Sequence, residues 1–456
     1  MTTAITATPA GRSSVTAAQV ADCAGKTDSR PARICVGIGY STISLFCLIA
    51  GRCIQRSLNT SHIHEDGRPV QRGLTGYYKT LSVAGETVRA FVPHPLPPRP
   101  SLEFDSRRQR LLEEATLSLG RLDSVTLLLS EPDLFLYAYV RREAVLSSQI
   151  EGTQSSLAQL LLFELEEAPG VPLDDVTEVS NYVAALDHGL NRLKGGFPLC
   201  NRLLREMHRI LLSRGRGSGQ SPGEFRRTQN WIGGTRPGNA HFVPPPPDVL
   251  EDCLSDFERF LHDETLPYPT LVRAALAHVQ FETIHPFLDG NGRIGRLLIA
   301  FILHHEGVLQ RPLLYLSLYF KQHRREYYRL LDVVRFEGDW EAWLDFFLEG
   351  VIQTARNAVI TAQRLVMLFK EDTQKIQMSK LGVNSALRVF NALCARPVLS
   401  LPELVRRTGL TFPTAAKGVD VLIRLNIVRE LTGRKRNRIF AYDSYVALLN
   451  EGTEPV

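Results

Sequence analysis

Twelve consecutive residues, His285 to Arg296, read HPFLDGNGRIGR and gather a histidine, an acid, an asparagine and two arginines around a pair of glycines. Pro286 biases the residue before it away from helical geometry, so the helix ending VQFETI should stop at His285 and present the imidazole there. A histidine, with an ordinary pKa near 6.5, suits proton abstraction at neutral pH. Gly290 and Gly292 let the backbone approach a ligand and turn its N–H groups inward, an anion nest at the start of the next helix, and Asn291 adds side-chain donors. Arg293 and Arg296 are three apart in that helix's first turn, where the dipole disfavours cations. Two arginines set against the dipole imply a compensating anion. A polyphosphate would satisfy both, and Asp289 is a hard oxygen ligand suited to the accompanying Mg²⁺. The set fits attack of a hydroxyl on a nucleotide phosphate.

Blander readings fit less well. GNGRIG formally matches GxGxxG at Gly290, Gly292 and Gly295, but that fingerprint needs a strand before it and LVRAALAHVQFETI is helical in pattern. A calcium loop counted from Asp289 would need glutamate at its twelfth position, which is Ala300. A plain glycine-rich turn capped by His285 leaves the acid and the arginines unexplained.

The elements that must position these groups are mostly helices. Apolar residues recur at three- and four-residue spacing over 106–129, 133–152, 156–168, 176–196 and 201–215, and again from Asp248 to about residue 380. FVPHPLPPRP at 91–100 is a proline-rich extended lead-in. Thr228 to Pro247 breaks the helical pattern: β-prone residues flank GGTRPGN, which predicts a hairpin closed by a proline block. After residue 384 come three short helices, over 385–396, 400–409 and 414–428, and then two strands around the basic turn of VRELTGRKRNRIFAY, a winged helix-turn-helix in outline.

HPFLDGNGRIGR resembles the signature HxFx(D/E)GNGRxxR of the Fic family, whose best-known members transfer AMP from ATP to hydroxyl side chains of proteins. Every fixed position is filled, and the resemblance covers about Tyr77 to Asn450. It implies a mainly α fold, a Fic-type helical bundle with a small β-hairpin flap, followed here by the C-terminal winged helix. His285 would be the base and Phe287 the loop's anchor in the core. Asp289 would hold Mg²⁺, Gly290, Asn291 and Gly292 would form the anion hole, Arg293 would support the phosphates, and Arg296 would take the γ-phosphate. The hairpin would hold a protein substrate as an added strand. Tyr327 and Tyr328 stand where relatives place an adenine-contacting tyrosine, although aromatic residues there could equally be core, and Arg335 stands where some relatives have an asparagine. LSSQIEG contains Ser147, Glu151 and Gly152, which resemble the family's inhibitory motif (S/T)xxxE(G/N). Glu151 would then pair bidentately with Arg296 in the γ-phosphate's place. The resemblance leaves open phosphocholine or phosphate transfer, and removal of AMP.

The wider sequence frames this. The expected units are a 1–76 extension, a 77–220 helical region with the inhibitory helix, a 221–350 catalytic core with the flap, a 351–383 linking helix and a 384–456 winged-helix domain. Seven scattered cysteines without CxxC spacing point to a reducing compartment and no zinc site. The expected location is cytoplasmic, with a membrane anchor at 34–51 as the alternative. From Asn384 to Val456 eleven Lys or Arg face six Asp or Glu, and Arg429, Arg434, Lys435, Arg436 and Arg438 lie at the wing. DNA binding by a nucleotide-sensing regulator is therefore a rival function, with Thr414 and Lys417 towards a groove. Self-modification and a homodimer are further expectations.

Overall fold

The computed structural model of the protein describes residues 72–128, 132–165, 173–433, 436 and 438–453. The apolar stretch at 34–51, Arg434, Lys435 and nearly all of the 1–76 extension lie outside the described residues. Among those described, no helix is long and apolar enough to cross a membrane.

Two helices carry the motif. α7 (Thr270–Ile284) and α8 (Asn291–His305) pack on each other, and every residue from Ala274 to Ile284 and from Arg293 to Leu303 is buried. A helix apolar on all faces has no solvent side and must sit at the centre. The surrounding layer is built from α1 (Ser106–Leu128), α2 (Pro132–Ile150), α3 (Leu157–Phe163), α4 (Leu173–Lys194), α5 (Asn201–Leu211) and α6 (Pro247–His262), then α9 (Ser317–Gln322), α10 (Arg324–Glu337) and α11 (Trp340–Met378). α4 and α5 pack together and against α8, α2 packs on α4 and α8, and α11 runs along α1 and touches α7. α4 comes close to α8 because Gly189 has no side chain: a Cβ there would lie 2.5 Å from the Phe301 ring. The expected break at 350/351 falls inside the single 39-residue α11.

The first described segment differs from expectation. The 77–220 region opens with an antiparallel hairpin, β1 (Gly76–Val83) and β2 (Glu86–Pro93), in register Gly76↔Pro93 to Val83↔Glu86. Its two-residue turn, Ala84 and Gly85, has φ of 51° and 84°. Two consecutive left-handed residues match the twist of the flanking strands. The β-prone alternation in YYKTLSV and TVRAFV is the signal the helical reading passed over.

The expected flap hairpin is reduced to one antiparallel bridge, Ile232↔Phe242, around a 3₁₀ turn at Pro237–Asn239. Left-handed Gly233 and Gly234 interrupt the strand, Asn239 Oδ1 takes the N–H groups of Thr235 and Arg236, and Pro244 to Pro247 have no N–H to donate. The β1–β2 hairpin holds the tip instead: Glu86 accepts from Arg236 Nη1 at 2.7 Å and from the Gly238 N–H at 2.6 Å.

Beyond α11 the chain forms α12 (Val383–Ala395), β3 (Val398–Ser400), α13 (Leu401–Thr408), α14 (Phe412–Arg424), β4 (Arg429–Glu430), β5 (Ile439–Ala441) and α15 (Asp443–Asn450), with antiparallel strand order β3-β5-β4. β3 and α15 had no counterpart in the sequence reading. α12 and α15 rest on α2.

Candidate active site

The site begins where α7 stops. His285 caps that helix in the left-handed region, at φ 51° and ψ 60°, its N–H still donating to the Phe281 carbonyl at 2.9 Å. Proline at 286 forbids another helical residue, and the turn swings the half-buried imidazole out of the helix. Two arginines hold the last carbonyls of α7. Arg226 donates through Nε to His285 O at 2.9 Å and through Nη2 to Ile284 O at 3.3 Å, and Arg335 donates to Glu282 O at 3.2 Å. Cations suit the negative end of a helix. Burial, then the charges of Arg226 and Arg335, push the His285 imidazole down to about 3, so it stands neutral.

The loop from Pro286 to Gly290 is fastened from within. Phe287 is fully buried and stacks on His208 at 3.7 Å between ring centroids, 5° from parallel. Burial pushes His208 down to about 4, so the ring is neutral. Its Nε2–H donates to Asp289 O at 2.9 Å while Nδ1 accepts the Gly223 N–H at 2.9 Å, which assigns the tautomer. Asn291 departs from expectation. Its amide turns back on the loop, Oδ1 accepting from Phe287 N at 2.9 Å and Nδ2 donating to Phe287 O at 2.8 Å. The amide oxygen and one amide N–H are thus engaged in shaping the turn.

Gly290, at φ 78°, is the N-cap of α8 and opens the helix mouth beside Gly292. A side chain at 292 would overlap Oε1 of Glu151 and come within 2.9 Å of Arg296 Nη1, so the glycine exists for close approach. Asp289 is half-buried, accepts the Gly290 N–H at 2.7 Å and lies 3.7 Å from Arg293 Nη2. Among the described residues no three acids, histidines or cysteines gather as a metal cage.

The anion that the two arginines require is supplied by the protein's own carboxylates. Arg293, 1% exposed, donates to Glu178 Oε1 of α4 at 2.5 Å. Arg296 donates through Nη2 to Glu151 Oε1 at 2.8 Å and to Ser147 O at 3.0 Å, and through Nε to Ser147 Oγ at 2.9 Å. The contact is therefore not bidentate: one carboxylate oxygen meets one nitrogen, and Ser147 takes Nε and shares Nη2. Glu151 lies one residue past the end of α2, in a turn closed by left-handed Gly152. Burial works to raise its pKa, and Arg296, seconded by Arg293, outweighs it and holds the carboxyl below the usual range.

The tyrosine pair divides. Tyr327 is 1% exposed, and its hydroxyl donates to His278 Nε2 at 2.9 Å, whose Nδ1–H donates in turn to Gly295 O at 2.9 Å. It is core, stacked on Phe320 at 4.6 Å. Tyr328 is 41% exposed and stands close enough to Glu151 and Arg296 to feel their charges.

His208, Glu178 and Arg226 went unnoticed in the sequence because each meets the motif across 59 to 115 residues. His208 had one weak signal, a histidine on the apolar face of α5.

Two segments match family models: residues 109–191 the Fic/DOC family N-terminal region, and residues 198–303 the Fic/DOC family. Residues 109–303 of the chain thus carry the two regions that these Fic/DOC models describe. The protein adenylyltransferase Fic of Culex quinquefasciatus is 36% identical over 211 residues, 45% of this chain and 39% of that protein. The protein of the same name from Aedes aegypti is 29% identical over 283 residues, 61% of this chain and 53% of that protein. This chain thus spans about half the length, or less, of the curated relatives it matches. A crystal structure of a Fic family protein from Desulfovibrio desulfuricans superposes with a TM-score of 0.50 at 20% identity, over 76% of this chain and 98% of that one, a likeness of fold.

Proposed function

We propose that this chain is a protein adenylyltransferase that moves AMP from ATP to a Ser, Thr or Tyr hydroxyl of a protein, and that Glu151 holds it at rest. One observation carries this reading: the carboxylate of Glu151 lies over Gly292 at the mouth of α8, 2.8 Å from Arg296, and stands in for a phosphate anion. A site that accepts a carboxylate there is built for anions.

In this proposal neutral His285 takes the proton of the attacking hydroxyl, and the backbone N–H groups of Asn291 and Gly292 face the charge that develops on the phosphate. Arg296 receives the terminal phosphate once Glu151 has left. Asp289 would hold Mg²⁺, which supplies charge neutralisation to the phosphates. One half-exposed carboxylate fits an ion that is commonly held by one or two protein oxygens, the substrate and water. Tyr328, and not Tyr327, remains the side chain available to an adenine.

The rival DNA-binding reading draws less support. Arg406 and Arg407 pair with Glu403, Arg429 with Asp443, and Arg438 with Glu430, so four of the eleven cations after Asn384 are engaged by neighbouring acids.

The test is direct. Glu151→Gly protein given Mg²⁺ and labelled ATP is expected to label itself or added protein well above wild type, and His285→Ala in the same background is expected to abolish the signal. Equal labelling in the two variants would refute the assignment.

A further inference from the structure

Between α5 and Arg226 runs the loop SRGRGSGQSPG, residues 213 to 223, which no part of the motif accounts for. Left-handed Gly215, Gly217, Ser221 and Gly223 fold it over the catalytic loop. It is tied to its surroundings: Asn181 Nδ2 donates to Arg214 O at 2.9 Å, Arg205 Nε to Gly223 O at 2.9 Å, and the Gly223 N–H to His208 Nδ1 at 2.9 Å, while just beyond it the Arg226 N–H donates to Pro286 O at 3.0 Å. Its crest rests on the acid assigned to Mg²⁺, since a Cβ at Gly217 would overlap Oδ2 of Asp289.

Arg216 is carried on this crest. Its Nη2 lies 3.2 Å from Glu178 Oε1 and 3.5 Å from the Glu151 carbonyl oxygen, so it stands between the two acids that neutralise Arg293 and Arg296. Glu178 Oε1 is shared. It already accepts from Arg293 at 2.5 Å, and both of those side chains are 1% exposed, whereas that of Arg216 is 53% exposed. Two cations share one carboxylate oxygen, and the buried one holds it more closely. The buried pair with Arg293 persists if Arg216 departs, so Glu178 is not stranded by its leaving. An exposed ion pair contributes little, and an arginine on a glycine-rich loop gains more from two parallel bonds to a phosphate.

We propose that Arg216 is a third substrate-contacting arginine, which swings from Glu178 onto the phosphate chain of the nucleotide bound at the mouth of α8. The proposal deepens the adenylyl-transfer reading and rests on it. With Glu151 withdrawn, Arg216, Arg293 and Arg296 face Glu178 and Asp289, a net charge of +1 that suits a magnesium-bound triphosphate. Without Arg216 the balance is zero.

The experiment is calorimetry in the Glu151→Gly background with two probes, ATP plus Mg²⁺ and adenosine. Arg216→Ala is expected to weaken ATP binding at least tenfold and leave adenosine within twofold, with Arg216→Lys in between. A loop that merely collapses would weaken both probes and lower Tm, and that result overturns the proposal. So does ATP affinity unchanged by Arg216→Ala. If Glu151→Gly itself takes up no ATP, the adenylyl-transfer reading fails first, which is a separate outcome.

Discussion

Replacing Gly292 by alanine tests whether the Glu151 carboxylate and a phosphate use the same space. The added methyl would overlap Oε1 of Glu151, and its carbon would lie 3.3 Å from Cδ of Glu151 and 2.9 Å from Arg296 Nη1. Restoring ordinary contact requires the carboxylate to retreat by about 1 Å. That takes the 2.8 Å bond to Arg296 out of hydrogen-bond range. A charge-assisted hydrogen bond contributes roughly 1.5–3 kcal/mol, so occupancy of the resting contact should fall about tenfold to a hundredfold. Gly292 sits in the first turn of α8 without a positive φ, so alanine is compatible with the helix and the fold should survive. The same methyl also closes the helix mouth to phosphate. We therefore expect Gly292→Ala to break the contact without gaining AMP transfer, unlike Glu151→Gly. In the Glu151→Gly background it should weaken binding of ATP plus Mg²⁺ by calorimetry at least tenfold, with Tm held or raised. If Gly292→Ala alone labels itself as strongly as Glu151→Gly, carboxylate and phosphate do not compete for one place and the resting-state argument is wrong.

Two further predictions use other residues. Tyr327→Phe should cost about 1 kcal/mol of stability, from one hydrogen bond to His278, and leave ATP affinity unchanged, whereas Tyr328→Ala should weaken ATP and leave Tm unchanged. Calorimetry and thermal melts separate the two, and the reverse pattern would return Tyr327 to the site. Burial raises buried Glu282 from 4.5 to about 7. Between those pH values the folded protein keeps a proton that the unfolded chain has shed, so this carboxyl costs stability as pH rises through the window, on the order of 3 kcal/mol in all. Urea titrations should find Glu282→Gln close to wild type at pH 4.5 and more stable at pH 8. Parallel pH profiles would rule out a raised pKa for Glu282.

The motif was legible because its parts are local. Proline after histidine, glycine at a helix mouth and arginines one turn apart act within a dozen residues, and the structure puts His285, Gly290, Gly292, Arg293 and Arg296 at one helix junction. The LSSQIEG segment was readable as a candidate partner only through resemblance, and it meets Arg296 across 145 residues. What sequence could not supply is which group satisfies which. Asn291 looked like a ligand donor, yet its amide spans the turn it sits in. Arg293 looked like a free phosphate arginine, yet Glu178, 115 residues away, already holds it. The β1–β2 hairpin escaped because its alternation is short and lies against a proline-rich stretch. The flap was overdrawn because β-prone residues suggested a ladder that its glycines and prolines cannot sustain.

The contact between Glu151 and Arg296 is a latch hung from one swivelling arm. A single oxygen makes it, beyond the last residue of α2, on a side chain still 32% open to water. Disengaging it takes a bond rotation, with no helix to unwind. At the strength of one charged hydrogen bond, on the order of one molecule in ten to one in a hundred stands ajar at any moment. The resting protein should therefore leak, and any activating signal need only widen a door already moving on its hinge.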